Sequence, residues 1–214
     1  MTILYTPIDI EFDMPKEQDI IDWFEEHKIL DTDYWEYTQN RHTWCLVVSR
    51  QPHEDWRRYK VWQSWTNNRT AIDNPGLFFH PGFAEQFPGL ANAISQLPFS
   101  QIGGGGFIKQ MSEIPAHQDT DTGFDVTEPK RYLIYVTNPT HNTFYLEHQG
   151  KKYYPEIDNK YRCFAFNNND VLHGAESPSA TKILLSVTGI IDNTQHTKLI
   201  NRSMLKFKDK VIKV

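Results

Sequence analysis

Cysteine is scarce in this sequence: among its 214 residues, the two cysteines are Cys45 and Cys163. So few cysteines exclude the dense disulfide framework that holds small secreted domains together. Two cysteines allow at most one bridge, and both stand in segments rich in β-branched and aromatic residues. We therefore expect two free thiols in a cytoplasmic protein.

Long apolar runs are also absent. No segment approaches the roughly 20 apolar residues that a membrane helix requires, and residues 1–7 lack the basic region of a signal peptide. Neither sign of charge dominates, because 22 Lys and Arg residues stand against 27 Asp and Glu for a net charge of −5. We expect neither a membrane nor a polyanion such as nucleic acid as partner.

Aromatic residues, in contrast, are plentiful, with 13 Phe, 10 Tyr and 6 Trp. They favour strands and supply large packing areas. A chain of this length is expected to form a single domain with a substantial core. We expect a preface of helix and strand over about 1–100, a β core over about 101–192, and a C-terminal extension over 193–214, which packs on the core as helix or strand or forms an interface.

The hydrophobic pattern predicts a mainly β fold with flanking helices. An amphipathic helix is expected over 15–30, and a second helix over 83–97 with an interruption near Pro88 and Gly89. Strands are predicted over 43–49 and 107–111, and near 130–138, 143–149, 151–157, 161–167 and 181–191, with a hairpin turn at 148–151. These strands fit a two-sheet jelly roll, or double-stranded β-helix, which can enclose a ligand between its sheets.

Two short motifs admit two interpretations each. Four consecutive glycines, 103–106, suit either a mobile active-site loop or a bulged entry into the next strand, and we favour the bulge. No Lys-Ser/Thr pair follows them, so they do not match a phosphate-binding loop. The aromatic and basic residues of 56–65 suit either base stacking or a half-buried strand, and we favour the strand.

A metal-ligand pattern is carried by His117, Asp119 and the distant His173. Alternate residues of a strand project to the same side, so His117 and Asp119 share a face while Gln118 turns away. Two imidazoles and one carboxylate leave one side of a metal open, as in non-haem Fe(II) oxygenases, although these ligands also suit Mn, Zn or Ni. Taken alone, a bare His-x-Asp favours a surface histidine beside a turn-forming aspartate. The order of His-x-Asp, several strands, a distant His and a cation in a strand favours the metal site instead.

Lys182 strengthens the metal hypothesis. It lies nine positions after His173, as a lone cation in an otherwise apolar strand. At that place it is positioned to hold a carboxylate as a compact point charge. The alternative is a lysine that protects an exposed sheet edge.

The segment 106–192 resembles the core of the 2-oxoglutarate- and Fe(II)-dependent oxygenases. In that family the first metal pair lies just after a strand, as His117 and Asp119 follow 107–111. The distal histidine is followed nine or ten residues later by Arg or Lys, which pairs with the far carboxylate of 2-oxoglutarate. A lysine there, as in Lys182, resembles the prolyl 4-hydroxylase branch.

The middle of the chain is similar to the aspartyl/asparaginyl β-hydroxylase group. There an arginine, here Arg131, opens the strand after the metal pair and also reaches the co-substrate, and a hairpin of glycine then tyrosine, here 150–154, precedes the distal histidine. The chain departs from this group in having Asp119, where its members can lack the carboxylate, and in having Lys182 in place of arginine. These departures leave the subfamily and the substrate open.

The resemblance implies an Fe(II)- and 2-oxoglutarate-dependent dioxygenase. It implies His117, Asp119 and His173 as catalytic iron ligands and Lys182 as the co-substrate anchor, with O₂ as oxidant and ascorbate as an admissible further cofactor. Such an enzyme converts 2-oxoglutarate to succinate and CO₂ while hydroxylating an unactivated C–H bond of a peptide, protein or small molecule. No arginine follows His173 until Arg202, which argues against the nucleic-acid demethylase branch.

Arg131 and Tyr135 are further candidates for the co-substrate site. They lie four residues apart on one predicted strand and share a face, with Tyr132 on the other face. Together they can complete a carboxylate pocket. The alternative places Tyr135 in the core and pairs Arg131 with Glu128 on the surface.

Two other function classes fit the same sequence. A cupin-like metal enzyme would share the barrel but would have no use for Lys182. A non-catalytic jelly-roll binding module would carry a vestigial set of ligands.

Overall fold

The computed structural model describes residues 3–30, 41–49, 55–57, 77–118, 130–139, 142–166 and 171–214. The described strands are β1 Ile3–Pro7, β2 His42–Ser49, β3 Phe78–Phe79, β4 Phe99–Gln110, β5 Ile114–His117, β6 Lys130–Tyr135, β7 Phe144–His148, β8 Lys151–Tyr153, β9 Cys163–Phe166, β10 Leu172–Ala175, β11 Lys182–Ile191 and β12 Ile212–Lys213. The described helices are α1 Glu17–His27, α2 Phe83–Gln86, α3 Pro88–Ser95 and α4 Asn193–Lys206. The prediction of a mainly β chain with flanking helices is confirmed.

The strands form two antiparallel sheets. The large sheet has the order β12-β1-β9-β6-β11-β4-β2-β3, and the small sheet has the order β5-β10-β7-β8. One apolar cluster joins the two sheets, since it unites Leu133 and Tyr135 of β6 with Phe144 and Leu146 of β7. The small sheet therefore packs face to face on part of the large one.

The opposite face of the large sheet is covered by helices. A second apolar cluster joins Trp23 and Phe24 of α1 and Leu90 of α3 to strand residues such as Phe107 and Leu185. The apolar residues that predicted the first helix are the ones that α1 buries against the sheet. The interruption predicted near Pro88 separates α2 from α3. Among the described helices, none has the length and apolar character needed to cross a membrane.

The four glycines lie inside β4, which pairs with β11 on one side and β2 on the other. The register against β11 shifts between Thr188 and Gly189, beside this glycine segment. A Cβ atom on Gly106 would lie 2.5 Å from the carbonyl oxygen of Cys45, so only glycine lets β2 approach this closely. The bulged strand is therefore confirmed.

Within the described residues most local predictions are confirmed, with two kinds of difference; residues 58–65 of the strand favoured over 56–65 lie outside the described part of the chain. The hairpin turn at 148–151 contains Gln149 and Gly150 with φ of 50° and 74°, as its tight geometry requires. The predicted strand near 151–157 is only three residues long. The short strands β1, β3, β5 and β10 were not predicted, since none has a long alternating pattern.

Candidate metal and dicarboxylate site

The small sheet brings His117 and His173 together. Antiparallel pairing of β5 with β10 sets the two residues directly opposite each other, and their imidazole centroids are 4.3 Å apart. The register then shifts, so that two residues of β5 oppose the single Gly174 of β10. Bulges of this kind commonly turn side chains at functional sites.

Gly174 is required for this close approach of the strands. A Cβ atom at this position would lie 2.6 Å from the carbonyl oxygen of Ile114 and 2.6 Å from the hydroxyl oxygen of Tyr145. Both distances are well below van der Waals contact, so a side chain here would displace β5 from β10.

The two histidines differ in their surroundings. His173 is buried, with its ring 4.9 Å from that of Phe166, whereas His117 is exposed. The Nδ1 of His117 lies 2.9 Å from the carbonyl oxygen of Pro115. A carbonyl only accepts, so Nδ1 carries the proton and Nε2 is the nitrogen suited to a metal.

The third predicted ligand, Asp119, lies outside the described residues. Within the described part of the chain, no group of three or more His, Cys, Asp or Glu side chains is arranged to hold a metal ion. The structure thus brings together the two predicted imidazoles and leaves the carboxylate ligand as a prediction.

Lys182 is buried on the large sheet, with 2% of its surface exposed. It is therefore not a guard at a sheet edge, because β11 lies between β6 and β4. Its ammonium group donates to the hydroxyl of Thr143 at 2.7 Å and lies 5.5 Å from the ring centroid of Tyr135. Burial lowers the pKa of Lys182 to about 7, because the charged form has lost its hydration.

Tyr135 is fully buried, and its ring lies beside Lys182, while its hydroxyl donates to the side-chain oxygen of Asn142. Burial raises the pKa of Tyr135, so the phenol remains protonated. The predicted alternation is confirmed, since Tyr135 belongs to the cluster between the sheets and Tyr132 to the cluster under the helices. The backbone of Arg131 belongs to β6, and its side chain lies outside the described part of the chain.

Gln110 extends the polar group around Lys182. It is the residue of β4 opposite Lys182 in the register. Its amide nitrogen donates to the carbonyl oxygens of Ser112 at 2.9 Å and Glu176 at 2.7 Å, which orients its side-chain oxygen. That oxygen accepts from the hydroxyl of Thr143 at 3.2 Å. Lys182, Thr143 and Gln110 therefore form a chain of hydrogen bonds with fixed direction.

One cavity of about 110 Å³ is lined by His117, His173, Gln110 and Lys182. Its apolar wall is formed by Ile108, Ile114, Leu133, Phe144, Phe166, Ala175 and Leu184. A cavity with a few convergent polar groups in an apolar wall is the usual form of a small-molecule site.

Sequence reasoning missed several contributors to this site. His42 and Trp44 of β2 also line the cavity, although no spacing in the sequence marks His42 as a ligand. Gln110 had no signal in the sequence, because its place opposite Lys182 depends on the pairing of β4 with β11. Thr143 had none, since its proximity to Lys182 depends on packing between the sheets.

Comparison with known proteins gave results only at the level of structure. No protein-family model matches the chain, and no curated protein matches it. The structure is similar to a Pseudomonas putida prolyl-4-hydroxylase, with 10% identity, a TM-score of 0.41, and coverage of 87% of this chain and 92% of that chain. It is also similar to an oxidoreductase of the 2OG-Fe(II) oxygenase family from Burkholderia pseudomallei, with 9% identity, a TM-score of 0.39, and coverage of 84% of this chain and 92% of that chain. At identities this low, the chemistry of this chain has to be argued from its own side chains.

Proposed function

We propose that this protein is an Fe(II)- and 2-oxoglutarate-dependent dioxygenase built on a jelly roll. One observation carries the proposal: two facing imidazoles and a buried lysine line the same cavity. Imidazoles bind a transition metal, and a buried ammonium group is costly unless an anion joins it.

The residues present fit an iron centre. His117 and His173 supply the two imidazoles, and Asp119 is proposed as the carboxylate ligand. When bound, iron together with O₂ and 2-oxoglutarate supplies the oxidation of an unactivated C–H bond, with formation of succinate and CO₂. The protein has to place that bond and exclude water and competing reactions.

Lys182 is proposed to bind the far carboxylate of 2-oxoglutarate. The negative charge of an incoming carboxylate compensates for the hydration that the ammonium group loses on burial. It therefore raises the pKa of Lys182 and keeps the proton on Nζ. The hydroxyl of Thr143 accepts from Nζ at 2.7 Å and so holds the ammonium group in place for that carboxylate. The apolar side chains around the cavity keep water from competing for the pair.

The exposed side of the centre suggests where a substrate arrives. His173 is buried, whereas His117 is exposed, so the His117 side of the metal faces solvent. A peptide or protein side chain and a small molecule both remain candidate substrates for that approach.

The proposal is tested by anaerobic titration of the apoprotein with Fe(II) and then with 2-oxoglutarate, while the weak visible charge-transfer band is recorded. The expected result is a band that requires both additions and disappears in His173→Ala. A matched control is His148→Ala, which removes a histidine at the far end of β7 and should leave the band unchanged.

The other outcomes point to the two competing function classes. Iron binding without the band would indicate a cupin-like metal enzyme that does not use 2-oxoglutarate. Absence of iron binding would indicate a non-catalytic jelly-roll module.

A further inference from the structure

A second cavity, of about 190 Å³, lies away from the histidines, where residues 8–14 pass over the start of β9. The segment is held there by a hydrogen bond from the backbone nitrogen of Ile8 to the carbonyl oxygen of Cys163, at 2.8 Å. Arg162, which directly precedes β9, lines this cavity. We refer to it as the Arg162 cavity.

The guanidinium of Arg162 is bound only by neutral acceptors. Its Nη1 donates to the carbonyl oxygens of Tyr135 at 3.3 Å and Thr137 at 3.0 Å, and its Nη2 donates to the side-chain oxygen of Asn159. Across the described residues, no carboxylate forms an ion pair with it. A guanidinium has five N–H donors, so capacity for an anion remains.

Burial makes this arrangement electrostatically costly. Arg162 is half-buried, and loss of hydration lowers its pKa from the usual value, which the exposed carboxylate of Glu17 offsets only in part; a guanidinium stays protonated near neutral pH. Carbonyl and amide oxygens solvate the charge without neutralising it. A bound carboxylate would neutralise it, and the planar guanidinium matches a carboxylate in a two-bond fork.

Apolar side chains form one part of the cavity wall, alongside the polar side chains of Asn159 and Lys160. Ile8 and Ile10 are buried there, and Phe12 and Met14 are half-buried against the neighbouring core. These side chains offer an apolar wall next to the cation, which suits a short hydrocarbon chain that ends in an anion.

The two charged residues at the rim largely offset each other. Lys160 adds a second positive charge, and Glu11 adds a negative one. The Glu11 side chain is 93% exposed and pairs with Lys206 at 3.8 Å, so it does not occupy the guanidinium.

Strand β6 separates this cavity from the one that contains Lys182. Arg162 binds the backbone carbonyl of Tyr135, whereas the ring of Tyr135 lies beside Lys182. The two cavities share no lining residue. Each cavity therefore has its own cationic side chain, Arg162 in one and Lys182 in the other.

We propose that the Arg162 cavity is a second ligand site, which binds a small monocarboxylate with a short apolar chain. The carboxylate pairs with the guanidinium of Arg162, and the chain packs on Ile8, Ile10 and Met14. This site is independent of whether the protein uses iron or 2-oxoglutarate.

The test uses methyl NMR spectra of the full chain titrated with hexanoate, and in parallel with hexanamide, which has the same chain without the charge. The expected result is a saturable shift of the methyl signals of Ile8, Ile10 and Met14 with hexanoate, and binding of hexanamide weaker by on the order of tenfold, because a charge-assisted pair is lost. Shifts confined to Ile108, Ile114 and Leu184 would place hexanoate in the Lys182 cavity and overturn the proposal. Absence of any saturable shift, or equal binding of the amide, would overturn it as well.

Substitution provides a second, separate test. Arg162→Gln should weaken hexanoate binding by on the order of tenfold. Arg57→Gln, which changes an exposed arginine that does not line this cavity, is the matched control and should have no effect. Unchanged hexanoate affinity in a folded Arg162→Gln protein would contradict the assignment. If Arg162→Gln fails to fold, the comparison of hexanoate with hexanamide decides on the unmodified protein.

Discussion

The two faces of the large sheet are built from the same strands but have different roles. Along β11, the residues facing the helices are Ile183, Leu185 and Val187, and those facing the small sheet include Lys182, Leu184 and Ser186. Along β11 the first face is apolar throughout, and the second carries buried polar groups beside the cavity. A buried polar side chain destabilises the fold when it lacks hydrogen-bond partners. Buried polar side chains that recur on one face therefore mark that face as the functional one.

The strongest test of this difference removes a proposed ligand from the small sheet, opposite the functional face. His173→Ala should lower iron-dependent turnover by roughly a hundredfold or more, since even partners of metal ligands cost 10- to 100-fold when removed. The far-ultraviolet circular dichroism spectrum should remain that of the unmodified protein. Turnover close to that of the unmodified protein would show that His173 does not bind the metal.

A substitution on the helix-covered face should have the opposite effect. Ile183→Ala removes a fully buried side chain next to Lys182 in sequence, and it should lower the free energy of unfolding by about 2–5 kcal/mol. Iron binding and the half-saturating concentration of 2-oxoglutarate should stay unchanged in the fraction that remains folded. Denaturant unfolding and the charge-transfer titration measure the two quantities separately.

Lys182→Met should separate stability from function. Loss of the anchor should raise the half-saturating concentration of 2-oxoglutarate roughly 10- to 100-fold, the value of a charge-assisted pair. Because a buried ammonium group is replaced by an apolar chain of similar length, we expect Tm to rise, by about 2–4 °C for each kcal/mol gained. Lys109→Met, at a half-exposed lysine paired with Glu25, is the control. Unchanged co-substrate affinity in Lys182→Met would show that another residue binds the carboxylate.

The pH dependence of Lys182 gives a subtler contrast between the two faces. Burial lowers the pKa of Lys182 from 10.5 to about 7, so between these values the unfolded chain binds more protons than the folded one. The free energy of unfolding should therefore rise from about pH 7 towards pH 10.5, and this rise should be absent from Lys182→Met. Over the same pH range, the affinity for 2-oxoglutarate should fall as the pH rises above 7, because binding then requires uptake of one proton. Calorimetry in buffers of different ionisation enthalpy would detect that proton. Binding without proton uptake at pH 8 would contradict the assignment.

The smallest effect is expected at Thr143. Thr143→Val removes the hydroxyl that accepts from Lys182 and should raise the half-saturating concentration of 2-oxoglutarate several-fold, in line with about 1 kcal/mol for one hydrogen bond. Thr143→Ser keeps the hydroxyl and should restore the value. If both variants behave alike, the hydroxyl has no part in binding.

Local pattern explains why most strands were predicted correctly and several site residues were not. The alternation of 131–135 placed Tyr132 and Tyr135 on opposite faces, because strand geometry fixes that relation within one strand. Thr143 and Gln110 meet Lys182 only because separate strands are brought together, and one sequence does not show which strands become neighbours.

The metal site shows the same limit. The order of His117, His173 and Lys182 along the chain predicted a shared site, and the structure brings the three into one cavity. The role of Asp119, outside the described residues, stays a prediction. No sequence pattern marks Arg162, since the acceptors that surround its guanidinium are determined by the fold.

Gly174 has a consequence for how this centre could be tuned. Gly174 offers no metal-binding atom of its own side chain, yet it sets the separation of β5 and β10. It therefore also sets the distance between the two imidazoles, which is the bite of the chelate. The preference of a chelate for one metal ion over another depends on that bite as well as on the donor atoms. Metal selectivity at the proposed centre would thus be adjustable at a residue without a side chain, with the donor set left intact.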